Sequence, residues 1–361
     1  MKIGILTFHR AENFGAVLQC YALQSYLESL GHKVEIIDYR CKAIEEVYYL
    51  FNLRSLFRLN IVSAFISYFK RILLWKDRLE KKRGYVSFRD KYLHLTKSIY
   101  KIKEDLGYDA YITGSDQVWN TSLLHGFNKI YFLDFPTSKE AKKISYAVSS
   151  EQQAIKNLYL YKDKLCSILN QFNSISVRED NFAKELSNYT STHIEVCVDP
   201  TFLIPKEKYL QLAIKPKEQN YILVYHMAEI PEGSNIADQL AQTTGYSIIE
   251  IHAHFKKRKN PNRHKENLGP LELLGYIAHA NYIITSSFHG LAFSLILQKN
   301  FCIVSRPNNN RLLNILKLLN LENRIISKTN NIPTSNIDYS IVTSKINKWT
   351  TQSKEYLIKS L

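Results

Sequence analysis

Short apolar runs that alternate with helical patterns constrain the fold of this chain more than any other feature. Residues 2–8 form a short apolar run, residues 16–30 carry apolar side chains at helical spacing, and Gly31 follows as a helix-ending residue. A second short apolar run occupies residues 34–37. A strand, a helix and another strand within the first 38 residues predict a βαβ unit and therefore a parallel sheet.

The same alternation continues along the chain and then begins a second time. Further strands of the first series are predicted at 109–113, 144–148, 175–177 and 196–198, with helices at 154–172 and 180–186. The composition loosens at 205–216, and the second series then has predicted strands at 221–225, 247–251, 282–285 and 301–304. Two α/β series of similar size predict two Rossmann-like domains that face each other across a cleft.

The alternation also sets the expected domain boundaries. We expect an N-terminal Rossmann-like domain over residues 1–204 and a C-terminal one over residues 205–340. An amphipathic helix at 341–361 closes the chain and is placed to cross back to the first domain. Residues 43–105 interrupt the first series with a helical, basic insertion.

Positive charge is concentrated in that insertion. The chain has 48 Lys and Arg against 33 Asp and Glu, a net charge of +15, and residues 54–83 hold nine basic side chains against Asp77 and Glu80. Such an excess predicts an anionic partner. The stretch at 53–83 suits contact with anionic lipid head groups, and a solvated helical pair packed on the domain explains it equally well.

Cysteine usage and hydropathy indicate a protein of the cytoplasm. The five Cys residues are scattered without a CxxC pair, which is typical of reduced thiols and not of a disulfide framework or a zinc site. The apolar run near the N-terminus is too short for a signal peptide, and no stretch reaches the length of a membrane span. We therefore expect a cytoplasmic protein, peripheral at the inner membrane face if the insertion contacts lipid.

One pair of histidines has the spacing of metal ligands without the full ligand set. His252 and His254 are alternate residues near a predicted strand end, but no third ligand is identifiable beside them. No metal is therefore expected.

The motif Ser286-Ser287-Phe288-His289-Gly290 is the sharpest candidate for a site, because ligands of open parallel sheets bind beyond the carboxyl ends of the strands. The two serines can cap the next helix, Gly290 allows close approach of a ligand, and His289 stands beside the helix N-terminus. A core or capping histidine explains the same motif equally well.

Arg178 is the second candidate, since it directly follows a predicted buried strand. A lone Arg in this position is a good planar ligand for an anion. An ion pair with Glu179 or Asp180, which start the next helix, is the alternative.

A turn of small and polar residues follows the predicted strand at 109–113. Its candidate residues are Gly114, Ser115, Asp116 and Asn120. The turn either wraps a phosphate or sugar hydroxyl or is an Asx turn in which Asp116 is the cap. Asn13 and Gly15 form a weaker version at the first helix start, without the GxGxxG pattern of dinucleotide-binding folds.

Six blocks, taken together, resemble one protein family. In chain order they are GILTFHRAENFGAVLQCYALQSYLESLGHKVEIIDY, TGSDQVWN, SYAVSSE, ISVRED, VDPTFLI and GPLELLGYIAHANYIITSSFHGLAFSLILQKNF. On these blocks the chain resembles the polysaccharide pyruvyl transferase family. The resemblance implies a GT-B-like fold of two Rossmann-like domains, and transfer of a pyruvyl group from phosphoenolpyruvate onto a sugar as a ketal.

The resemblance also implies a donor site. The family typically binds the donor through an Arg of the first half, matched here by Arg178, and an Arg-x-His motif of the second half, whose His is matched by His289. Ser287 stands where that motif has Arg, so Arg306 or Arg311 is expected to supply the missing cation. The expected donor-binding residues are Arg178, Ser286, Ser287, His289, Gly290, Arg306 and Arg311.

Ketal formation needs a general acid and a general base. His289 is expected to act as the acid or to neutralise the departing phosphate, and Asp116 is expected to orient or deprotonate the acceptor hydroxyl. The acceptor is expected to be a sugar on a lipid diphosphate, bound by Asn13, Gly15, Gly114, Ser115, Asp116 and Asn120. Neither a cofactor nor a metal is expected, and phosphoenolpyruvate is the co-substrate.

Two other functions are compatible with the sequence. A GT-B-type glycosyltransferase that uses a nucleotide sugar shares the implied fold, and Glu272 would then be a carboxylate for the ribose. A nucleic-acid-binding module fits the net charge, but the sequence has no helix-turn-helix, zinc-finger or RRM pattern. Because the charge lies in one insertion and one loop, nucleic acid is not expected as a partner.

Overall fold

The chain folds into two compact units, each built on a parallel sheet. The computed structural model describes residues 1–49, 75–226, 230–252, 260, 262–304, 310–326 and 332–361, with the backbone alone at 310 and 311. The first unit contains Met1–Tyr48, Arg89–Ile204 and Ile346–Leu361, and the second contains Pro205–Lys345 with the described part of Tyr49–Phe88. The prediction of two Rossmann-like α/β folds is confirmed.

The first sheet has six parallel strands in the order β2-β1-β3-β4-β5-β6. The strands are β1 (Lys2–Leu6), β2 (Lys33–Ile36), β3 (Ala110–Asp116), β4 (Lys142–Val148), β5 (Ile175–Val177) and β6 (Ile194–Val196). Ile5 of β1 pairs with Ile36 on one side and Ile112 on the other, and all three are fully buried. Burial on both faces explains why these strands are short continuous apolar runs.

Six helices accompany this half of the sequence in the part that the structure describes. They are α1 (Phe14–Ser29), α2 (Lys42–Glu45), α3 (Trp75–Tyr92), α4 (Gln152–Lys156), α5 (Lys162–Leu169) and α6 (Asp180–Leu186). The helix expected at 154–172 is therefore wrong as a single element, because a 3₁₀ turn at Leu158–Tyr161 separates α4 from α5. Asn157, which has a low helix propensity, stands at the break.

The last predicted strand of the first series begins earlier than expected. The pattern predicted residues 196–198, whereas β6 is Ile194–Val196. Cys197 N still donates to Val177 O at 2.9 Å, so backbone pairing continues just past the strand. Boundaries of this kind depend on which backbone groups find partners, which an apolar pattern does not show.

Aromatic side chains dominate the core around β3. Trp119 is fully buried, stacks on Phe132 with ring centroids 4.8 Å apart, and donates from Nε1 to Tyr131 O at 2.9 Å. Phe127 stacks on the same Phe132 ring. This packing anchors the loop that follows β3 and so holds the candidate turn of residues 114–120 in place.

The second sheet also has six parallel strands, in the order β12-β11-β10-β7-β8-β9. The strands are β7 (Tyr221–His226), β8 (Ser247–His252), β9 (His264–Lys265), β10 (Tyr282–Thr285), β11 (Phe301–Val304) and β12 (Ile325–Ile326). The described helices of this half are α7 (Lys206–Leu212), α8 (Pro231–Thr244), α9 (Pro270–His279), α10 (Phe288–Ile296), α11 (Asn310–Leu319) and α12 (Tyr339–Ser360). The sequence did not predict β9 and β12, because two-residue edge strands carry no periodic pattern.

In the insertion between β2 and β3, the structure describes residues 43–49 and the residues from Trp75 onward. Asn267 Nδ2 donates to Glu80 Oε2 at 2.7 Å, and a Cβ on Gly84 would lie 2.8 Å from the Cα of Gly269. The residues up to Phe88 therefore pack within the second unit, although they are inserted into the sequence of the first. Residues 53–74 of the stretch expected at a membrane lie outside the described residues.

The closing helix, α12, returns the chain to the first unit. Residues from Ile346 onward belong to that unit. Ser353 Oγ accepts a hydrogen bond from Val198 N at 2.9 Å, and Tyr356 Oη donates to Ser145 O at 2.8 Å. No helix in the described ranges combines the length and the hydropathy needed to cross a bilayer.

Candidate functional site

β3 continues to Asp116, past the end at residue 113 that the sequence predicted, and lies close to β4 at Gly114. This residue has φ +111°, and a Cβ there would lie 2.4 Å from Tyr146 O of the neighbouring strand. Only glycine fits this combination of a positive φ and close backbone contact. Ser115 follows and is fully buried, and its Oγ donates to Ala147 O at 2.6 Å.

Arg178 directly follows β5, and its guanidinium contacts Ser115 at the end of β3. Its Nη2 donates to Ser115 Oγ at 2.5 Å and lies 2.6 Å from Asp199 Oδ2. The Arg178 and Asp199 side chains are 3% and 0% exposed. Arg178 is thus held in a buried ion pair with Asp199, while Glu179, one of the acids expected to pair with it, accepts a hydrogen bond from Ser149 Oγ at 2.6 Å.

Asp199 is a member of this group to which the sequence assigned no role, although it directly follows the predicted strand at 196–198. Its Oδ1 accepts hydrogen bonds from Thr201 N at 2.9 Å and Thr201 Oγ1 at 2.7 Å. The carboxylate therefore has one oxygen on Thr201 and the other on Arg178. An Asp-Pro pair after a strand was the available signal, but its partner is far away in the sequence.

Gln19 of α1 links the first helix to the group formed by Ser115, Arg178 and Asp199. Gln19 Nε2 donates to Thr7 Oγ1 at 2.8 Å, and its Oε1 accepts from Ser115 N at 3.2 Å. Asn13 is the N-cap of α1, where its side chain accepts from Ala16 N at 3.2 Å. The side chain of Asn13 is thus accounted for by capping, and Gly15 is buried in the first turn of the helix.

Asp116 ends β3, and Asn120 lies in the loop that follows. Asp116 has φ +74°, and its Oδ1 accepts from Gln117 N at 2.9 Å. Asn120 is buried, and its Oδ1 accepts from Ser122 N and Leu123 N at 3.0 Å each. Asn120 therefore shapes the loop, whereas the partly exposed Asp116 lies at the carboxyl edge beside Ser115.

A second buried polar group at this edge comes from the ends of β1 and β2. His9 Nε2 lies 2.8 Å from Asp38 Oδ1, and His9 Nδ1 lies 3.1 Å from Thr7 O. Arg10 also holds Asp38 through two contacts of 2.5 Å. Burial opposes ionisation of Asp38, but hydrogen bonds from Arg10, His9 and Ser98 hold its pKa well below the ordinary value. The sequence assigned no role to this group.

The sharpest sequence motif lies at the matching edge of the second sheet. Ser287 is the N-cap of α10, and its Oγ accepts from Gly290 N at 3.3 Å. A Cβ on Gly290 would lie 2.3 Å from Thr285 Oγ1, so packing against β10 already explains the glycine. His289 lies in the first turn of α10 and is 9% exposed, where the positive end of the helix favours a negative ligand.

Other imidazoles continue along this edge. Ser286 Oγ lies 3.3 Å from His226 Nδ1, and His226, at the end of β7, is fully buried. His226 pairs in register with His252 of β8, and their ring centroids are 6.5 Å apart. His226 follows a predicted strand, yet its contact with Ser286 depends on the pairing of β7 with β10, which only the structure shows.

Glu250, His252 and Arg263 form a charged cluster next to this group. His252 Nε2 lies 3.1 Å from Glu250 Oε2, and Arg263 Nε donates to Glu250 Oε1 at 2.7 Å. Burial opposes ionisation of Glu250, but the hydrogen bonds from His252 and Arg263 lower its pKa to about 2. Glu250 is a lone acid inside an apolar strand, and this pattern was the signal that the sequence offered.

Two expected donor residues are not placed by this structure. Arg306 and the Arg311 side chain lie outside the described residues, as does His254 of the histidine pair. The cation that replaces the family's Arg at Ser287 stays a prediction. Arg178 and Ser115 are brought together in the first unit, and Ser286, Ser287, His289 and Gly290 are brought together in the second.

Comparison with solved structures finds similarity at low sequence identity. The chain is similar to the UDP-GlcNAc 2-epimerase of Neisseria meningitidis bound to UDP-GlcNAc, at 9% identity and TM-score 0.43, covering 99% of this chain and 94% of that one. A putative UDP-N-acetylglucosamine 2-epimerase of Listeria monocytogenes gives 7% identity and TM-score 0.46, covering 99% and 90%. An E. coli heptosyltransferase with ADP gives 11% and 0.39, covering 96% and 99%. No curated protein matches the sequence.

Two parallel α/β units with polar groups at their carboxyl edges place the protein in the class built on two Rossmann-like folds. The family model for polysaccharide pyruvyl transferases matches residues 13–308. Since this match covers most of the chain, the protein belongs to the polysaccharide pyruvyl transferase family. The resemblance seen in the sequence is confirmed, and the protein is a transferase of polysaccharide biosynthesis.

Replacing Asp199 with Asn should destabilise the first unit. The change keeps the shape but removes the charge that compensates buried Arg178, and breaking such a pair costs about 3–5 kcal/mol of unfolding free energy. Urea unfolding measures the difference, with exposed Asp163→Asn as the control. Equal stability of Asp199→Asn and the wild type would show that Arg178 does not depend on this carboxylate.

Protonation of Glu250 at low pH should lower the stability of the second unit. Its pKa is lowered from 4.5 to about 2 on folding, so its contribution to stability is complete above pH 4.5 and is lost as the pH falls toward 2. Thermal unfolding of the wild type and Glu250→Gln over this pH range measures the effect. The wild type should lose more stability than the variant, and parallel profiles would contradict the prediction.

Proposed function

We propose that this protein moves the enolpyruvyl group of phosphoenolpyruvate onto two hydroxyls of a sugar as a cyclic ketal and releases phosphate. The family membership supports pyruvyl transfer onto a polysaccharide. The observation that carries the donor assignment is the position of His289, in the first turn of α10 beside the N-cap Ser287 at the carboxyl edge of the second sheet. An imidazole and a helix N-terminus at one place suit a phosphate-bearing donor.

The proposed reaction needs one proton donor and one proton acceptor. Protonation of the methylene carbon of phosphoenolpyruvate makes the neighbouring carbon oxocarbenium-like, and a sugar hydroxyl oxygen adds to it. The bond from that carbon to the phosphate oxygen then breaks, and the second hydroxyl closes the ring. The two sugar hydroxyls lose two protons. One of them makes up for the proton that was added to the methylene carbon, and the other goes to phosphate or solvent.

The residues divide between these tasks. His289 donates the proton or neutralises the departing phosphate, assisted by the N-terminus of α10. Arg178 is the cation of the first unit for the donor, and its contacts with Ser115 and Asp199 fix its orientation. Asp116 accepts a hydroxyl proton from the acceptor, because it is the partly exposed carboxylate next to that group.

The acceptor is a sugar carried on a lipid diphosphate, bound while the protein is peripheral at an anionic membrane face. The net charge of +15 and its concentration in residues 53–83 support this. In the described part of that stretch, Trp75 is 51% exposed, and Lys76 and Arg83 are exposed as well. An exposed Trp among basic side chains is typical of contact with lipid head groups.

Phosphate release from phosphoenolpyruvate in the presence of a glycoside acceptor tests the reaction. His289→Ala should lower the rate about a hundredfold or more, since a positioned acid contributes about 10²–10⁴-fold. His279→Ala is the control, because His279 is an exposed residue at the end of α9. Full turnover by His289→Ala would remove this residue from the mechanism.

Two further readouts separate the proposed reaction from nucleotide-sugar transfer. Mass spectrometry of the acceptor should show the added pyruvyl mass. Phosphoenolpyruvate should raise the melting temperature through binding to the folded state, whereas nucleotide sugars should not. A melting shift with a nucleotide sugar alone would favour a glycosyltransferase instead.

Membrane contact is tested separately by co-sedimentation with vesicles. Vesicles rich in anionic lipid should retain the protein at low salt, and vesicles of neutral lipid should not. Replacing Trp75 with Ser and Lys76 and Arg83 with Gln should weaken retention, while the exposed control pair Lys348 and Lys359 changed to Gln should not. The membrane proposal fails if anionic vesicles do not retain the wild type.

A further inference from the structure

Three side chains at the β9 edge of the second sheet place their donor atoms close together. They are Glu250, His252 and His264. Glu250 Oε2 lies 3.1 Å from His252 Nε2 and 3.5 Å from His264 Nδ1. The three donor atoms all lie within 4.8 Å of one another. One carboxylate oxygen and two imidazole nitrogens therefore share a small volume at the ends of β8 and β9.

The sheet register produces this arrangement. Glu250 pairs with His264 across the parallel ladder of β8 and β9. His252 lies two residues beyond Glu250, and residues two apart in a strand point to the same face. The sequence offered His252 with His254 as the ligand pair, whereas the structure supplies Glu250 and His264 as the other two ligands.

Arg263 contacts Glu250 Oε1, whereas the two imidazoles face Oε2 of the same carboxylate. Its Nε and Nη2 contact Glu250 Oε1 at 2.7 and 2.6 Å, and its Nη1 lies 2.7 Å from Asp238 Oδ1. The guanidinium thus holds the carboxylate from one side, while Oε2 faces His252 and His264. A ligand carboxylate that is oriented by a second group is a common feature of metal sites.

We propose that Glu250, His252 and His264 bind one divalent transition-metal ion of the zinc class. Two nitrogen ligands and one oxygen ligand disfavour magnesium and calcium, which prefer oxygen, and suit zinc and its neighbours. A tetrahedral site needs donor atoms roughly 3.3–3.6 Å apart at its metal–ligand distances of about 2.0–2.2 Å. The two distances at Glu250 are close to this range, and the two imidazole nitrogens lie within 4.8 Å of each other.

The site is independent of the pyruvyl transfer proposed above. Its three ligands tie the edge strand β9 to β8, so an ion would stabilise this edge of the second unit. Three protein ligands leave a fourth position for water or another oxygen donor.

A matched pair elsewhere in the chain shows what the third ligand adds. His193 Nε2 lies 3.1 Å from Glu195 Oε2, the same separation as between His252 and Glu250. The two side chains are 86% and 44% exposed, and in the described residues they do not belong to a three-ligand group. His193→Ala is therefore a control that removes a histidine–glutamate pair without touching the proposed site.

Titration of the chelator-treated full chain with Zn²⁺, followed by calorimetry, tests the proposal. One equivalent should bind, and His264→Ala should weaken it by more than about tenfold, because even the loss of an outer-shell group costs about 10–100-fold. His252→Ala should act in the same direction, and His193→Ala should not. Binding that neither His264→Ala nor His252→Ala weakens would overturn the site, as would the absence of a stoichiometric equivalent.

Co²⁺ provides a readout on the wild type that does not depend on the folding of any variant. Bound at two imidazoles and one carboxylate, Co²⁺ should give the intense visible absorption of a low-coordinate ion, and Zn²⁺ should displace it. The weak spectrum of an octahedral aqua ion would contradict the proposal. Zn²⁺ should also raise the melting temperature of the wild type and leave that of His264→Ala unchanged.

Discussion

Parallel strand pairing positions every polar group discussed here. Because neighbouring parallel strands run in the same direction, their carboxyl ends meet at one edge, and residues that are distant in sequence become neighbours. Ser115 at the end of β3 and Arg178 after β5 come together in this way in the first unit. His226 of β7 and Ser286 after β10 meet in the second unit. The strands are the scaffold, and the polar side chains at their carboxyl ends are the candidate site residues.

The buried charged side chains at each edge are paired with groups of opposite charge. A buried ionised group is costly unless it is paired and hydrogen-bonded. Arg178 is paired with Asp199, Asp38 is held by Arg10 and His9, and Glu250 is held by Arg263. These pairs fix the orientation of the buried cations and carboxylates in the folded protein.

Much of the architecture follows from the sequence pattern, and the misses have identifiable causes. The apolar runs predicted ten of the twelve described strands, since buried parallel strands are short and continuously apolar. The edge strands β9 and β12 were missed because two residues show no period. The helix break at Asn157 was missed because apolar residues continue through the 3₁₀ turn. Gly290 stays a predicted donor-site residue, and its close packing against Thr285 is a structural reason for glycine at this position.

The sequence by itself determined the α/β class, the two series of strands and the family, because periodic apolar patterns and contiguous motifs are local properties of a chain. It also marked Arg178, which directly follows β5, and His289, which lies in the first turn of the helix after β10. Only the tertiary structure decided that Arg178 pairs with Asp199 and that Glu250 faces both His252 and His264. Such pairings depend on strand order and register, which are set by packing and hydrogen bonding between distant segments.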